Sequence, residues 1–149
     1  MTTALHLARP DDFDRLDGLV AAFHAEAGFE TEARVRQAAL APLLDGSPHG
    51  VAYLIGPARS PIGYIVICFG WSVEFGGMDG FVDEIYLRPA VRGRGIASEV
   101  LNALPKALAS AGLRALHLEV ERNDSKAVKL YTRAGFKPRQ SYMLMSKKL

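Results

Sequence analysis

The sequence has a single cysteine, Cys68, and it lies inside the apolar run Ile65–Phe69. One thiol cannot form a disulfide within the chain, and it cannot build a cysteine-rich metal site. Both of these classes of protein are therefore excluded. So little cysteine is typical of a reducing compartment, and we expect a cytoplasmic protein.

Long hydrophobic runs are also lacking, as is an excess of charge of one sign. No apolar run approaches the ~20 residues of a membrane span, and Met1–His6 lacks the long apolar core of a signal peptide. Lys and Arg number 18 against 16 Asp and Glu, a net charge of +2 that argues against nucleic acid as a partner. The histidines lack the spacing of a metal site, so we expect no metal.

The composition is that of an ordinary globular protein, with 49% hydrophobic and 23% charged residues. A chain of 149 residues can bury one sizeable core, so we expect a single domain over residues 1–149. Periodicity and turn residues predict strands at 5–8, 51–55, 62–69, 81–87, 115–120 and 142–145, helices at about 11–28, 31–44, 95–112 and 123–135, and a loop at 71–80.

A glycine-spaced basic loop joins the predicted strand ending at Leu87 to the helix that opens near Gly95. Gly93 and Gly95 allow successive backbone N–H groups to point inward. The unpaired amides of the first helical turn and the helix dipole add partial positive charge. This stretch therefore predicts a site for an anion such as a pyrophosphate.

Two segments resemble motifs of the GCN5-related N-acetyltransferase (GNAT) superfamily. Arg92–Ala97 is similar to its acyl-CoA motif, which has Arg or Gln, two residues, Gly, one residue, and Gly or Ala. The segment from Asn123 to Phe136 is similar to a second pattern, in which asparagine, alanine and an aromatic residue precede Gly-Phe. With the order of the elements, the resemblance extends over nearly the whole chain.

The resemblance implies a mixed α/β fold in which about four helices flank a mostly antiparallel sheet of about six to seven strands. Its parallel strands, 81–87 and 115–120, would splay apart so that acetyl-CoA lies in the gap. The implied cofactor-binding residues are Ile85, Tyr86 and Leu87 on the strand, Arg92, Gly93, Arg94, Gly95, Ile96 and Ala97 in the loop, and Asn123 and Lys126 in the second segment. Asn123 or Ser125 is alternatively the cap of the last helix, and Pro105 should kink the helix that contains it.

Acyl transfer to an amine requires a neutral amine, a stabilised oxyanion and a proton for the leaving thiolate. Glu84 is the candidate general base, because the family often places its base there and because partial burial would raise its pKa. Tyr131 is the candidate acid. A backbone N–H between Glu84 and Leu87 is the candidate oxyanion donor. The alternatives are a Glu84 that neutralises nearby arginines and a Tyr131 that only packs.

Several acids precede or flank Glu84, and Glu74 and Asp83 are candidate substrate-binding residues. With Asp79 they would attract a cationic amine, unless they are merely solvated loop charges. Because Cys68 has no partner close in sequence, direct transfer in a ternary complex is preferred over a covalent intermediate.

The predicted function is an acetyl-CoA-dependent N-acetyltransferase. The acceptor would be a primary amine of a small molecule (a polyamine, an amino sugar or an amino acid derivative), or a lysine or N-terminus of a peptide. A non-catalytic acyl-CoA sensor on the same fold is one alternative. A dinucleotide-binding unit using Gly93 and Gly95, with Glu119 or Glu121 on the ribose, is another. Dimers are common among the relatives, and the sequence leaves the oligomeric state open.

Overall fold

The computed structural model describes residues 3–149, and the chain forms two compact units, the first ending at Glu119 and the second comprising Val120–Leu149. The strands are β1 (Leu5–Leu7), β2 (Gly50–Ile55), β3 (Gly63–Ser72), β4 (Gly77–Leu87) and β5 (Ala115–His117), and the helices are α1 (Phe13–Ala27), α2 (Ala33–Leu44), α3 (Ile96–Ser110) and α4 (Ser125–Arg133). Short 3₁₀ turns occupy Pro10–Asp12 and Pro89–Val91. No helix in this described part of the chain is long and apolar enough to cross a membrane.

The sheet has the order β1-β2-β3-β4-β5, in which the first three pairings are antiparallel and β4 pairs with β5 in parallel. The mixed α/β class, the four α-helices and the parallel pair are therefore confirmed. The strand count of six to seven is wrong for the described residues, because the sheet has five strands.

The predicted strand at 142–145 is not formed. Its side chains are between 64% and 82% exposed, and no backbone ladder holds them. A short apolar run forms a strand only when a neighbouring strand and a buried face are available.

The predicted loop at 71–80 is mostly strand. β3 continues to Ser72 and β4 begins at Gly77, so only Val73–Gly76 forms the turn of this hairpin. The glycines and acids that suggested a loop lie partly within β4, where Gly80 tolerates the close approach of Leu116 and Ile67.

The main core lies between the sheet and the two N-terminal helices. Leu16, Leu19 and Val20 of α1 are at most 2% exposed and pack on inward-facing strand residues. The full cluster comprises Ala8, Leu16, Leu19, Val20, Leu40, Leu44, Ala52, Leu54, Tyr64, Val66 and Tyr86. Gly28 ends α1 in the left-handed conformation (φ 75°), as its position predicts. This packing fixes the C-terminal end of α1 against β3 and β4.

The strand pairing of β4 differs between its two ends. Its parallel pairing with β5 runs from Asp79 opposite Ala115 to Phe81 opposite His117 and stops there, although β4 continues to Leu87. Its register with β3 shifts, since Val66 pairs with Glu84 but Ile67 pairs with Val82. Asp83 is therefore the extra residue of a β-bulge, and such bulges redirect side chains.

Helix α3 follows the glycine loop and begins at Ile96, with Gly95 as its N-cap residue (φ 79°). Pro105 lies inside the helix, which nevertheless continues to Ser110. Proline removes one backbone hydrogen bond, and the apolar face formed by Val100, Leu101 and Leu104 remains buried across that position.

Candidate functional site

The carboxylate of Glu84 is held between one donor from α1 and one from β3. His24 Nε2 lies 2.6 Å from Oε2, and Tyr64 Oη donates to Oε1 over 2.7 Å. The side chains of His24 and Glu84 are 14% and 16% exposed. One hydrogen bond therefore reaches each oxygen, and an ionised carboxylate can accept both.

Tyr64 is a donor whose hydroxyl proton is strongly retained. The residue is fully buried, and its burial together with the neighbouring Glu84 carboxylate raises the pKa of Tyr64 far above its ordinary value. The hydroxyl therefore remains protonated over the whole working range of pH.

Two phenylalanine rings pack against the imidazole of His24. The ring centroid of Phe29 lies 5.4 Å from that of His24, and the centroid of Phe23 lies 5.8 Å away. His24 Nδ1 is buried, and no described residue forms a hydrogen bond with it. The imidazole thus has one polar contact, which is with Glu84.

His24 and Tyr64 are the site residues that the sequence reasoning missed. His24 and Tyr64 lie 60 and 20 positions before Glu84 in the sequence, respectively. The only local signals were a histidine in the last turn of an amphipathic helix and a tyrosine in an apolar strand. Neither signal indicates that the side chain contacts Glu84.

Asp83, at the bulge, lies beside Glu84 in the chain. Although the residue as a whole is exposed, desolvation of its carboxyl group raises the pKa of Asp83. The Glu84 carboxylate and Glu119 raise that pKa further, while His24 opposes them. Cys68 is half-buried, and its burial, followed by the carboxylates of Asp83 and Glu84, raises the pKa of its thiol, so a reactive thiolate is disfavoured.

The other predicted acids lie elsewhere along the hairpin. Asp79 Oδ2 is 3.1 Å from His117 Nε2, and the ring of Phe75 packs against that imidazole with centroids 5.1 Å apart. Glu74 is exposed in the turn that joins β3 to β4. At about 3.3 Å per strand residue, roughly 20 Å of β4 separates this turn from Glu84. The structure therefore brings Asp83, but not Glu74, next to Glu84.

The glycine loop has an open backbone. Gly93 and Gly95 both have φ of 79°, and a Cβ built on either would meet no atom within 4 Å. The backbone amides of residues 93–98 donate no hydrogen bond to the described residues, and the first that does is Glu99, to the Gly95 carbonyl over 3.1 Å. Open donors at a helix N-terminus fit the diphosphate of a CoA ester.

The side chain of Arg92 connects this loop to α1. Its Nη2 donates to both carboxylate oxygens of Glu26 over 2.9 and 2.8 Å, and its Nε donates to the Leu87 carbonyl over 2.9 Å. The guanidinium also lies 5.5 Å from the centre of the Tyr86 ring. The backbone N–H of Arg92 donates to the Pro89 carbonyl over 3.3 Å, so in this arrangement both the amide and the side chain of Arg92 are engaged within the protein and Arg92 anchors the loop.

The second unit contains the remaining predicted residues. The carboxylate of Asp124 accepts a hydrogen bond from Ala127 N over 3.1 Å and caps α4. The expectation that Asn123 or Ser125 caps this helix is therefore wrong, because the intervening aspartate is the side chain that reaches the free amide. Lys126 lies in the first turn of α4 and is exposed.

Tyr131 lies in the same helix and packs edge-on against Phe136, with ring centroids 6.1 Å apart. Burial raises the pKa of Tyr131, and Asp124 raises it further, so the phenol is protonated near pH 7. Among the residues that the structure describes, no group of three or more His, Cys, Asp or Glu side chains could hold a metal ion.

A mixed sheet with one parallel pair, followed by an open glycine loop at a helix N-terminus, is the architecture of the acetyltransferase class. Residues 11–136 match the sequence model described as the acetyltransferase (GNAT) family. The chain therefore belongs to the GNAT family.

Three relatives illustrate this assignment. The uncharacterized N-acetyltransferase YycN of Bacillus subtilis (strain 168) is 38% identical over 71 residues, which cover 48% of this chain and 44% of the relative, less than half of its length. An integron cassette protein from the mobile metagenome of Cole Harbour Salt Marsh is 32% identical, with a TM-score of 0.83 over 97% of this chain and 90% of its own.

The third relative is AAC(6')-Iy, solved in complex with the bisubstrate analogue CoA-S-monomethyl-acetylneamine. It has a TM-score of 0.82 at 14% identity and full coverage of both chains. At that identity the likeness establishes a shared fold alone.

Proposed function

We propose that the chain is an acetyl-CoA-dependent N-acetyltransferase and that residues 1–149 act as one catalytic domain. The observation that carries this proposal is the carboxylate of Glu84, held by His24 and Tyr64 on the strand that leads into the open glycine loop. Acetyl transfer to an amine needs a fixed proton acceptor and an anion site on one scaffold. Membership of the GNAT family agrees with this reaction.

Acetyl-CoA would be held mainly by backbone groups. The amides of Gly93, Arg94, Gly95, Ile96 and Ala97 would bind its diphosphate, and the β4 backbone at Ile85, Tyr86 and Leu87 would pair with its pantetheine arm. When bound, the thioester supplies an activated acetyl group. Asn123 and Lys126 are assigned to the cofactor by the motif resemblance.

Glu84 would accept a proton from the acceptor's ammonium group, directly or through one water molecule. A backbone N–H between Glu84 and Leu87 would stabilise the negative charge that develops on the acyl oxygen when the neutral amine displaces the thiolate. Tyr131 would return a proton to the departing thiolate. The elevated pKa of Tyr131 keeps that proton available at neutral pH.

The acceptor would be a cationic primary amine. Asp83 and Glu84 are adjacent at the bulge, and anionic groups attract an ammonium ion. We place small-molecule amines first and peptide amines second. The bisubstrate analogue bound to AAC(6')-Iy, CoA-S-monomethyl-acetylneamine, supports including amino sugars among the acceptors.

The test is an amine panel supplied with acetyl-CoA, with free thiol release as the readout and calorimetric binding of CoA in parallel. We expect turnover with at least one cationic amine and its near abolition in Glu84→Gln. CoA binding should be retained in that variant. If CoA binds but every small-molecule and peptide amine fails, the non-catalytic sensor becomes the better account.

A further inference from the structure

We propose that His24 and Tyr64 are positioning residues for the Glu84 carboxylate and that His24 is fixed as the Nε2–H tautomer. The kinetic effects expected of these residues rest on the proposed function. The assignment of the tautomer rests on geometry alone. The two donors come from separate elements, α1 and β3, and each reaches a different carboxylate oxygen.

The tautomer follows from the two ring nitrogens of His24. An ionised carboxylate carries no proton, so the hydrogen in the 2.6 Å contact with Glu84 must be on Nε2. Nδ1 is buried, and no described residue accepts a hydrogen bond from it. A proton at Nδ1 would be a buried donor without an acceptor, and on a charged ring that is especially unfavourable. Nδ1 therefore carries the lone pair.

The two donors restrict the side chain of Glu84 before any substrate binds. A free glutamate side chain samples many rotamers, and holding it costs conformational entropy at the moment of reaction. Here Phe23 and Phe29 pack against the His24 ring, and Tyr64 is fully buried, so neither donor can follow a displaced carboxylate. Such support keeps a reacting group in its productive geometry.

The proton path is then simple. The acceptor's ammonium gives its proton to an unoccupied lone pair of the Glu84 carboxylate, breaking an N–H bond and forming an O–H bond. His24 donates a hydrogen bond throughout and takes up no proton. His24 and Tyr64 are thus distinct from the catalytic base that they orient.

Several charged or titratable groups surround this centre and must be considered in any pH profile. Asp83, Tyr86 and Glu84 itself come from β4, and Tyr64 and Cys68 come from β3. Glu26 of α1 is paired with Arg92, and Glu119 acts on Asp83. Removing one donor from Glu84 leaves these groups in place, so a change in the profile reports the lost hydrogen bond.

The kinetic test compares Tyr64→Phe, His24→Leu and His24→Gln. Phe and Leu remove a donor, while Gln retains an N–H group on a side chain of similar reach. We expect the acid limb of the kcat/KM profile to move up by about one pH unit in Tyr64→Phe and His24→Leu, because the ionised carboxylate loses stabilisation. His24→Gln should restore most of the wild-type limb. His49→Leu and Tyr53→Phe are matched controls that lose the same groups elsewhere and should leave the profile unchanged.

The tautomer is tested independently of activity by NMR of the substrate-free protein with ¹⁵N-labelled histidine. We expect the His24 ring to show a protonated Nε2 and a bare Nδ1 at neutral pH. The inference is overturned if His24 is the Nδ1–H tautomer, or if the acid limb of the kcat/KM profile is unchanged in both Tyr64→Phe and His24→Leu. If no amine is acetylated, the proposed function fails while the NMR result still decides the tautomer.

Discussion

The two halves of β4 use similar residues in different settings. Residues 77–81 pair with β3, and from Asp79 onward also with β5, whereas residues 82–87 pair with β3 and carry the bulge at Asp83. Each half has a carboxylate beside a histidine. Asp79 lies 3.1 Å from His117 with side chains 21% and 30% exposed, and Glu84 lies 2.6 Å from His24 with side chains 16% and 14% exposed.

The difference lies in what each pair joins. Asp79 and His117 are on two neighbouring strands that already share backbone hydrogen bonds, so their contact adds to an existing ladder. Glu84 and His24 join the sheet to a helix, at the stretch of β4 beyond the parallel pairing. An unpaired strand edge can receive a ligand. We infer that the first half holds the sheet together and that the second half performs the chemistry.

The largest expected effect comes from replacing the two carboxylates in turn. Glu84→Gln should lower kcat by roughly 10²–10⁴-fold, the usual contribution of a general base. Asp79→Asn should leave kcat within about threefold and lower the free energy of unfolding by at most about 1 kcal/mol, because a partly exposed ion pair contributes little. Steady-state kinetics and denaturant unfolding of both variants provide the comparison.

The carbonyl oxygen of Gln can still accept a hydrogen bond from His24, and its NH2 group can donate to the Tyr64 hydroxyl oxygen, so Glu84→Gln should fold normally and bind CoA. Equal losses of activity in both variants would contradict the division of β4 into a structural half and a chemical half.

The next prediction compares how tightly the two halves of β4 are packed, at Gly63 of β3 beside the second half and at Gly80 in the first half. A Cβ at Gly63 would lie 2.1 Å from the Tyr86 carbonyl oxygen, which is backbone and cannot move aside. Gly63→Ala should therefore lower the free energy of unfolding by about 1–3 kcal/mol, the range of overpacking. At Gly80 the nearest atoms are side-chain atoms of Leu116, Ile67 and Leu113 at 3.1–3.4 Å. Chemical denaturation should show a smaller change for Gly80→Ala, and the reverse order would refute the argument.

A third prediction concerns the loop that follows the second half of β4. Alanine at Gly95 must adopt a left-handed conformation, which costs about 1–2 kcal/mol per residue and would weaken acetyl-CoA binding by roughly tenfold. Gly112, past the other end of α3, also has a positive φ (109°) and open space around it. Gly112→Ala should therefore cost comparable stability without affecting the KM for acetyl-CoA. A matching rise in KM for both variants would remove the loop from the cofactor site.

The sequence was most informative where one local segment contains the whole signal. The glycine loop needs only two glycines, a preceding strand and a following helix, and α3 begins after Gly95 as predicted. The antiparallel β2–β3 pairing follows from the short link between these strands, and the parallel β4–β5 pairing follows from the strand, helix, strand order. Glu84 was identified by its place beside that loop, and its catalytic role stays a prediction.

Contacts between distant segments were not predictable in the same way. The hydrophobic periodicity of the sequence shows which face of α1 is buried. It does not show that His24 contacts Glu84, which lies 60 positions later in the chain. The bulge at Asp83 depends on the register between β3 and β4, which periodicity alone does not determine. The segment Tyr142–Met145 is a short apolar run that predicts a strand, yet it forms none in the described structure, because an apolar run does not specify a partner strand.

The smallest expected effect concerns Asp83, in the second half of β4. The prediction is that its carboxylate lowers the free energy of unfolding. Desolvation raises the pKa of Asp83 above its ordinary value, so its ionisation disfavours the folded state. This cost is absent at pH below the unfolded pKa and develops as pH rises through the folded pKa. Asp83→Asn should therefore raise the free energy of unfolding at pH 7 by a few tenths of a kcal/mol, since the exposed residue is screened by solvent. The gain should vanish near pH 3, where wild-type Asp83 is itself protonated. Urea unfolding at both pH values measures it. A loss of stability at pH 7 would mean that the carboxylate supports the bulge rather than straining it.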